Sequence, residues 1–85
     1  MNTGRRDRLG FDSSRFYLHL RRCCLLRGIS IRQLSMDTGV PHDTLYQMSK
    51  RGSVPGGARL AALCKWSGLN CADYLIDLED RNVQL

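Results

Sequence analysis

Residues 31–50, IRQLSMDTGVPHDTLYQMSK, predict two short helices joined by a tight turn. Ser30 is an N-cap candidate for the first of these helices, and Gly39 ends it because glycine accepts the positive φ common at helix C-termini. Pro41 suits the first turn of the second helix, where no backbone donor is needed. Ser35 is small enough to lie at the contact between two steeply crossed helices.

The second helix of this pair has an inner and an outer side. Leu45 and Met48 lie on the inner side, where they can dock onto Leu34 and Val40. Because an α-helix turns about 100° per residue, positions 42, 43, 46 and 47 share a stripe on the outer side. This outer side is then available to enter a DNA groove, where residues near a helix N-terminus reach base edges.

Three further helices are predicted around this pair. The first begins at an N-cap among Asp12, Ser13 and Ser14 and ends at Gly28, and its apolar residues recur at spacings of three and four. Proline opens the fourth helix, glycine ends it, and an asparagine caps a short fifth helix. The bounds expected after the first helix are residues 31–38, 41–50, 55–67 and 71–76.

The chain of 85 residues has room for one domain. Residues 1–11 are interpreted as a flexible basic arm, residues 12–76 as the helical domain, and residues 77–85 as an acidic tail and dimerisation element. A domain of this size buries a limited share of its surface, so we expect a partner subunit, a metal or disulfides to add stability.

The net charge of +5 is unevenly distributed along the chain. Residues 1–65 hold twelve basic and four acidic side chains, whereas residues 66–85 hold one basic and four acidic side chains. A basic body with an acidic end indicates a polyanion bound on one side, although a solvated surface gives the same composition.

Several classes of function are excluded by what the sequence lacks. The longest apolar run, residues 60–64, is too short for a leader or a membrane span, so a cytoplasmic protein of a bacterium or a phage-infected host is expected. The four cysteines form no Cys-X-X-Cys pair and are interpreted as structural thiols rather than metal ligands. There is no phosphate-binding glycine loop and no nucleophile–base pattern, so neither catalysis nor a cofactor is expected.

The ordered series of segments resembles the Cro/cI-type (Xre-like) helix-turn-helix family of phage repressors and bacterial regulators. The resemblance covers about residues 16–75 and includes RGISIRQLS, TGVPHDTLYQMS, the proline at position 55 and LCKWSGLNCADYL. It implies an all-α, compact five-helix lambda-repressor-like DNA-binding domain without catalytic activity. It also implies a homodimer on a double-stranded DNA operator.

The resemblance makes the third helix the recognition helix. Gln47 can pair with adenine, and His42 can donate to guanine. Asp43 can accept from cytosine, or it can cap the first turn of its own helix. Tyr46 can pack on a thymine methyl group, or it can be an exposed aromatic ring that partly covers the second helix.

Phosphate contacts and a dimer interface are expected outside this stripe. The phosphate candidates are Ser30, Arg32, Thr44, Lys50, Arg51 and Ser53. The arm can lie in an adjacent minor groove, or it can be an unstructured leader, and its basic residues are Arg5, Arg6 and Arg8. The dimer-interface candidates are Leu75, Ile76, Leu78, Val83 and Leu85.

Two functions remain compatible with this pattern. The leading interpretation is a repressor that binds a pseudo-palindromic operator as a dimer. The alternative is an antitoxin or adaptor of the same fold, whose main role is to bind a partner protein while DNA binding serves autoregulation. Exposed apolar candidates such as Leu25 and Leu26 fit either a homodimer or a protein partner.

Overall fold

Four α-helices, one 3-10 helix and a two-stranded antiparallel sheet form residues 9–77, the part of the chain described by this computed structural model. The chain is mostly helical, in agreement with the predicted class. In chain order, the elements are β1 (Leu9–Phe11), α1 (Ser13–Arg27), α2 (Ile31–Thr38), α3 (His42–Arg51), α4 (Gly57–Ser67), the 3-10 helix (Cys71–Tyr74) and β2 (Leu75–Asp77).

The short fifth helix expected at residues 71–76 forms only as a 3-10 helix that ends at Tyr74. Asn70 does cap a turn there, because its side chain accepts a hydrogen bond from the Ala72 amide, but only the 3-10 helix Cys71–Tyr74 follows. The backbone then becomes extended at Leu75, and β2 pairs with β1. This pairing gives the backbone groups of residues 75–77 partners that lie more than sixty residues away in sequence, which no local pattern can reveal.

The same sheet changes the expected division of the chain. Residues 9–11 were assigned to the arm and residue 77 to the acidic tail, yet both belong to the sheet, in the register Leu9↔Asp77, Gly10↔Ile76 and Phe11↔Leu75. The folded domain therefore extends beyond residues 12–76 at both ends. Arg5, Arg6, Arg8, Leu78, Val83 and Leu85 lie outside the described residues.

Side chains of α1 hold the 3-10 helix in place. The Tyr74 ring is buried against Phe16, with ring centroids 5.0 Å apart, and its hydroxyl hydrogen-bonds to His19 Nδ1. Arg15 Nη1 donates to the Asp73 carbonyl at 3.2 Å. Burial raises the pKa of the Tyr74 phenol, so it stays protonated and able to make this hydrogen bond. The C-terminal segment is thus anchored to the first helix.

The predicted caps of the first two helices are confirmed. Asp12 Oδ1 accepts from the Arg15 amide at 3.2 Å, and Ser30 Oγ accepts from the Gln33 amide at 3.0 Å. The start of α4 differs from the prediction, because this helix begins at Gly57 rather than at Pro55. Its N-cap residue has an extended backbone, with ψ of 163°, and the proline before it is buried in the loop.

The core lies between α1 and the other helices. α1 packs against α2, α3, α4 and the 3-10 helix, so its buried side is the centre of the domain. All of the core side chains are apolar or aromatic and almost fully shielded from solvent. They are Phe16, Leu20, Cys24, Leu34, Val40, Leu45, Met48, Leu63 and Tyr74.

The turn between α2 and α3 is closed by side-chain hydrogen bonds. Ser35 Oγ donates to the Val40 carbonyl at 2.6 Å, and Thr38 Oγ1 accepts from the Val40 amide at 3.3 Å. Gly39 has a φ of +76°, as predicted, and so reverses the chain at a position where other residues are strained. Together these contacts set the direction in which α3 leaves the turn.

Replacing Leu45 with alanine should lower the free energy of unfolding by about 2–5 kcal/mol, because a fully buried side chain leaves a cavity in the core. Urea denaturation followed by circular dichroism measures this change. Tyr46→Ala is the matched control. The Tyr46 side chain is 50% exposed, so this variant should unfold at a urea concentration close to that of the wild type. Similar midpoints for the two variants would show that α3 does not dock through Leu45.

Candidate nucleic-acid interface

α3 turns one side to the core and the other to solvent. Leu45 and Met48 are fully buried, which matches the inner side predicted for this helix. The four candidate base-reading residues lie off that side: His42, Asp43 and Tyr46 are exposed, and Gln47 is half-buried. They form one polar and aromatic surface along the first two turns of the helix.

Asp43 is not used as a helix cap. The N-cap position of α3 is Pro41, and no side chain caps this helix within the described residues. The Thr44 and Leu45 amides instead bond to the Pro41 carbonyl, at 3.0 and 3.3 Å. The exposed Asp43 carboxylate in the first turn is favourable to the helix dipole and remains available as an acceptor for an outside donor.

A shallow depression lies between α3 and the start of α4. It brings Asp43 and Gln47 together with three of the predicted phosphate-binding residues, namely Thr44, Arg51 and Ser53. The loop between α3 and α4 contributes residues 53–56 to its lining. The complete lining is Asp43, Thr44, Gln47, Arg51, Ser53, Val54, Pro55, Gly56 and Arg59.

Arg59 is a residue of this surface that the sequence analysis missed. Its Nη1 atom donates to Thr44 Oγ1 at 3.2 Å, so the guanidinium group crosses from α4 to α3. A signal was present in the sequence, because a cation in the first turn of a helix opposes the helix dipole and needs another reason to be there. That signal was hidden by the expectation that α4 begins at Pro55, which places Arg59 beyond the first turn.

The other phosphate candidates lie away from the depression. Ser30 caps the N-terminus of α2, and the exposed Arg32 occupies the first turn of the same helix. Lys50 lies at the end of α3, with Nζ 5.9 Å from the centre of the Tyr46 ring. Among the donors outside α3, Arg59 of α4 therefore contacts α3 directly, whereas Ser30 and Arg32 lie at the N-terminus of α2.

A family model described as a Cro/C1-type HTH DNA-binding domain matches residues 19–80 of the chain. The match covers more than two thirds of the sequence and includes α2, the glycine turn and α3. The chain belongs to this family. No curated protein and no solved structure shows a significant match.

Membership of the Cro/C1-type family indicates DNA as the binding partner, and the matched residues include α2 and α3. It indicates a regulator that binds DNA rather than an enzyme. No helix within residues 9–77 is long and apolar enough to cross a membrane.

Two of the candidate dimer residues lie in the small sheet of this helix-turn-helix domain. Leu75 is 51% exposed and Ile76 is half-buried, both in β2. β2 is at the edge of a two-stranded sheet, so its outer backbone edge is not covered by a third strand among the described residues. An exposed leucine on an edge strand is suited to subunit contact.

The cysteines form no compact cluster for chemistry. Cys24 is buried, and Cys23, Cys64 and Cys71 are half-buried free thiols. Burial, followed by the side-chain interaction with the neighbouring Cys71, raises the pKa of Cys64 to about 12, so this thiol is protonated at neutral pH. No group of three potential metal ligands is assembled within residues 9–77.

Proposed function

We propose that this protein is a transcriptional repressor that binds a pseudo-palindromic operator in double-stranded DNA as a homodimer. The observation that supports this most directly is the division of α3. Leu45 and Met48 are buried, whereas His42, Asp43 and Tyr46 are exposed. Asp43 also lines the depression between α3 and α4. A helix presented in this way fits the major groove, and occupying a promoter in the bacterial or phage-infected cytoplasm blocks transcription.

In this proposal the outer side of α3 reads bases. Gln47 forms two hydrogen bonds with adenine, and His42 donates to guanine. Asp43 makes no capping bond and accepts from a cytosine amino group. The exposed Tyr46 ring packs on a thymine methyl group or the sugar edge.

Two sets of donors position the helix on the phosphate backbone. Thr44, Arg51 and Ser53 line the depression together with Arg59, and two guanidinium groups facing one hollow can share an anionic phosphate oxygen. Ser30 and Arg32 act with the N-terminus of α2, and Lys50 acts from the end of α3. Phosphate contacts on both sides of α3 hold it in register without themselves reading sequence.

The ends of the chain complete the proposal. Arg5, Arg6 and Arg8 precede β1, and we propose that they enter an adjacent minor groove. Leu75 and Ile76 in β2, followed in the sequence by Leu78, Val83 and Leu85, supply the subunit contact. A dimer is favoured because a single module buries little surface on DNA and reads few base pairs.

Base reading and backbone positioning should separate on mutation. Gln47→Ala should cost about 1–3 kcal/mol on the preferred site and relax the preference at one base pair. Arg51→Ala should weaken binding to all sequences alike, because a phosphate contact reads no base. Selection of binding sites from random DNA with both purified variants measures the two effects. An unchanged preference for Gln47→Ala with an altered one for Arg51→Ala would show that the reading side is assigned wrongly.

Affinity should also depend strongly on salt. If about six phosphates are contacted, binding should weaken by roughly 10³-fold from low to high salt. Arg51→Ala and Arg59→Ala should each reduce the slope of log affinity against log salt by about one. Arg21→Ala is the matched control, because that exposed arginine is on α1 and should leave the slope unchanged. An unaltered slope for Arg59→Ala would remove this residue from the phosphate contacts.

The subunit arrangement is tested by sedimentation with and without operator DNA. Two subunits should bind one pseudo-palindrome whose half-sites are about 34 Å apart, one turn of the double helix. Leu75→Ser should weaken dimerisation while leaving the thermal transition of the monomer near wild type, because half of this side chain is exposed. A strict monomer bound to DNA at one-to-one stoichiometry would contradict the proposed dimer.

A further inference from the structure

One side of α1 exposes three leucines that the core does not use. Leu18 is 61% exposed, Leu25 75% and Leu26 81%. The helix buries Phe16 and Leu20 on its opposite side, so burial in the domain accounts for one side only. Single exposed leucines are ordinary, but three on one short helix form an apolar surface that costs free energy in water.

The three leucines share one side of the helix. Leu25 and Leu26 follow Leu18 by seven and eight residues, which is two helical turns, and the apolar surface therefore extends along about 12 Å of the helix axis. Arg22 lies one turn from both ends of this surface, and Arg21 flanks it on the other side. Leu18, Arg21, Arg22, Leu25 and Leu26 together are called the α1 stripe.

The α1 stripe carries only positive charge. α1 contains four arginines and no acidic residue. Two of the arginines have other roles, since Arg15 donates to the Asp73 carbonyl and Arg27 lies 4.0 Å from the centre of the Trp66 ring. Arg21 and Arg22 are exposed beside the leucines. The surface therefore combines apolar contact with attraction for carboxylates.

The α1 stripe points away from the recognition surface. α1 and α3 pack against each other through their buried sides, which carry Leu20 on one helix and Leu45 on the other. When two helices pack in this way, their outer sides face in opposite directions. A ligand on the α1 stripe therefore leaves the outer side of α3 accessible to DNA.

We propose that the α1 stripe docks an acidic amphipathic helix of a protein partner, and that it does so while α3 is on DNA. Such a helix supplies apolar side chains at helical spacing for the leucines and carboxylates for Arg21 and Arg22. A second copy of the stripe fits poorly, because its arginines would face identical arginines. Binding of DNA there would leave the leucines against phosphates. This surface lies outside the helix-turn-helix function proposed above.

The test uses the full chain and a labelled synthetic peptide of about four helical turns, with leucines at spacings of three and four and glutamates between them. Fluorescence anisotropy should show saturable binding of this peptide, and a peptide of the same composition in scrambled order should bind more weakly. Leu25→Ser and Arg22→Glu should each weaken binding at least about tenfold, as expected for residues at the centre of a contact. Both side chains are exposed, so neither change should disturb folding.

Matched controls separate this site from other surfaces. Met36→Ser removes a 65% exposed apolar side chain from α2 and should leave peptide binding unchanged. Gln47→Ala should also leave it unchanged, and the peptide should bind the protein–operator complex as tightly as the protein alone. A failure of the operator to bind would therefore not affect the peptide result, and the two proposals can fail separately.

Three results would overturn the assignment. Equal binding of the ordered and scrambled peptides, or no binding of either, would show that no patterned helix is recognised. Binding to vesicles that contain phosphatidylserine, lost in Leu25→Ser, would make the α1 stripe a membrane contact instead. A homodimer that dissociates in Leu25→Ser would make it a contact between copies of this chain.

Discussion

A hydrogen bond of 2.6 Å from Ser35 Oγ to the Val40 carbonyl closes the turn between α2 and α3. This bond gives the partly buried Val40 carbonyl a hydrogen-bond partner, and it holds the start of α3 close to the end of α2. Val40 is buried and Gly39 reverses the chain, so that Leu45 and Met48 of α3 pack in the core. That docking turns His42, Asp43 and Tyr46 away from the core, and all three are exposed.

α1 connects this turn to the remainder of the domain. Its buried side packs on α3, while Arg15 and His19 hold the 3-10 helix through Asp73 and Tyr74. The same helix thus supports the recognition surface and closes the chain ends through the β1–β2 sheet. The α1 stripe takes part in none of these contacts, which is why its three leucines and two arginines point to a further partner.

The surface proposed to contact DNA draws on three elements rather than on α3 alone. Arg59 reaches Thr44 from α4, so a donor of the fourth helix is placed beside the residues of the third. Arg51 and Arg59 both line the resulting depression, together with Asp43 and Gln47, which are proposed to read bases. In the proposed complex these two arginines supply the cations that neutralise DNA phosphates.

Local sequence predicted the elements whose signals are local. The caps at Asp12 and Ser30, the positive φ of Gly39 and the buried inner side of α3 each depend on residues within one or two helical turns, and a single stretch of chain therefore reveals them. The strand at residues 75–77 and the Arg59–Thr44 contact could not be found in this way. Both depend on groups brought together from distant parts of the chain, because an extended backbone needs a pairing strand and a long side chain needs a neighbouring helix at the right distance.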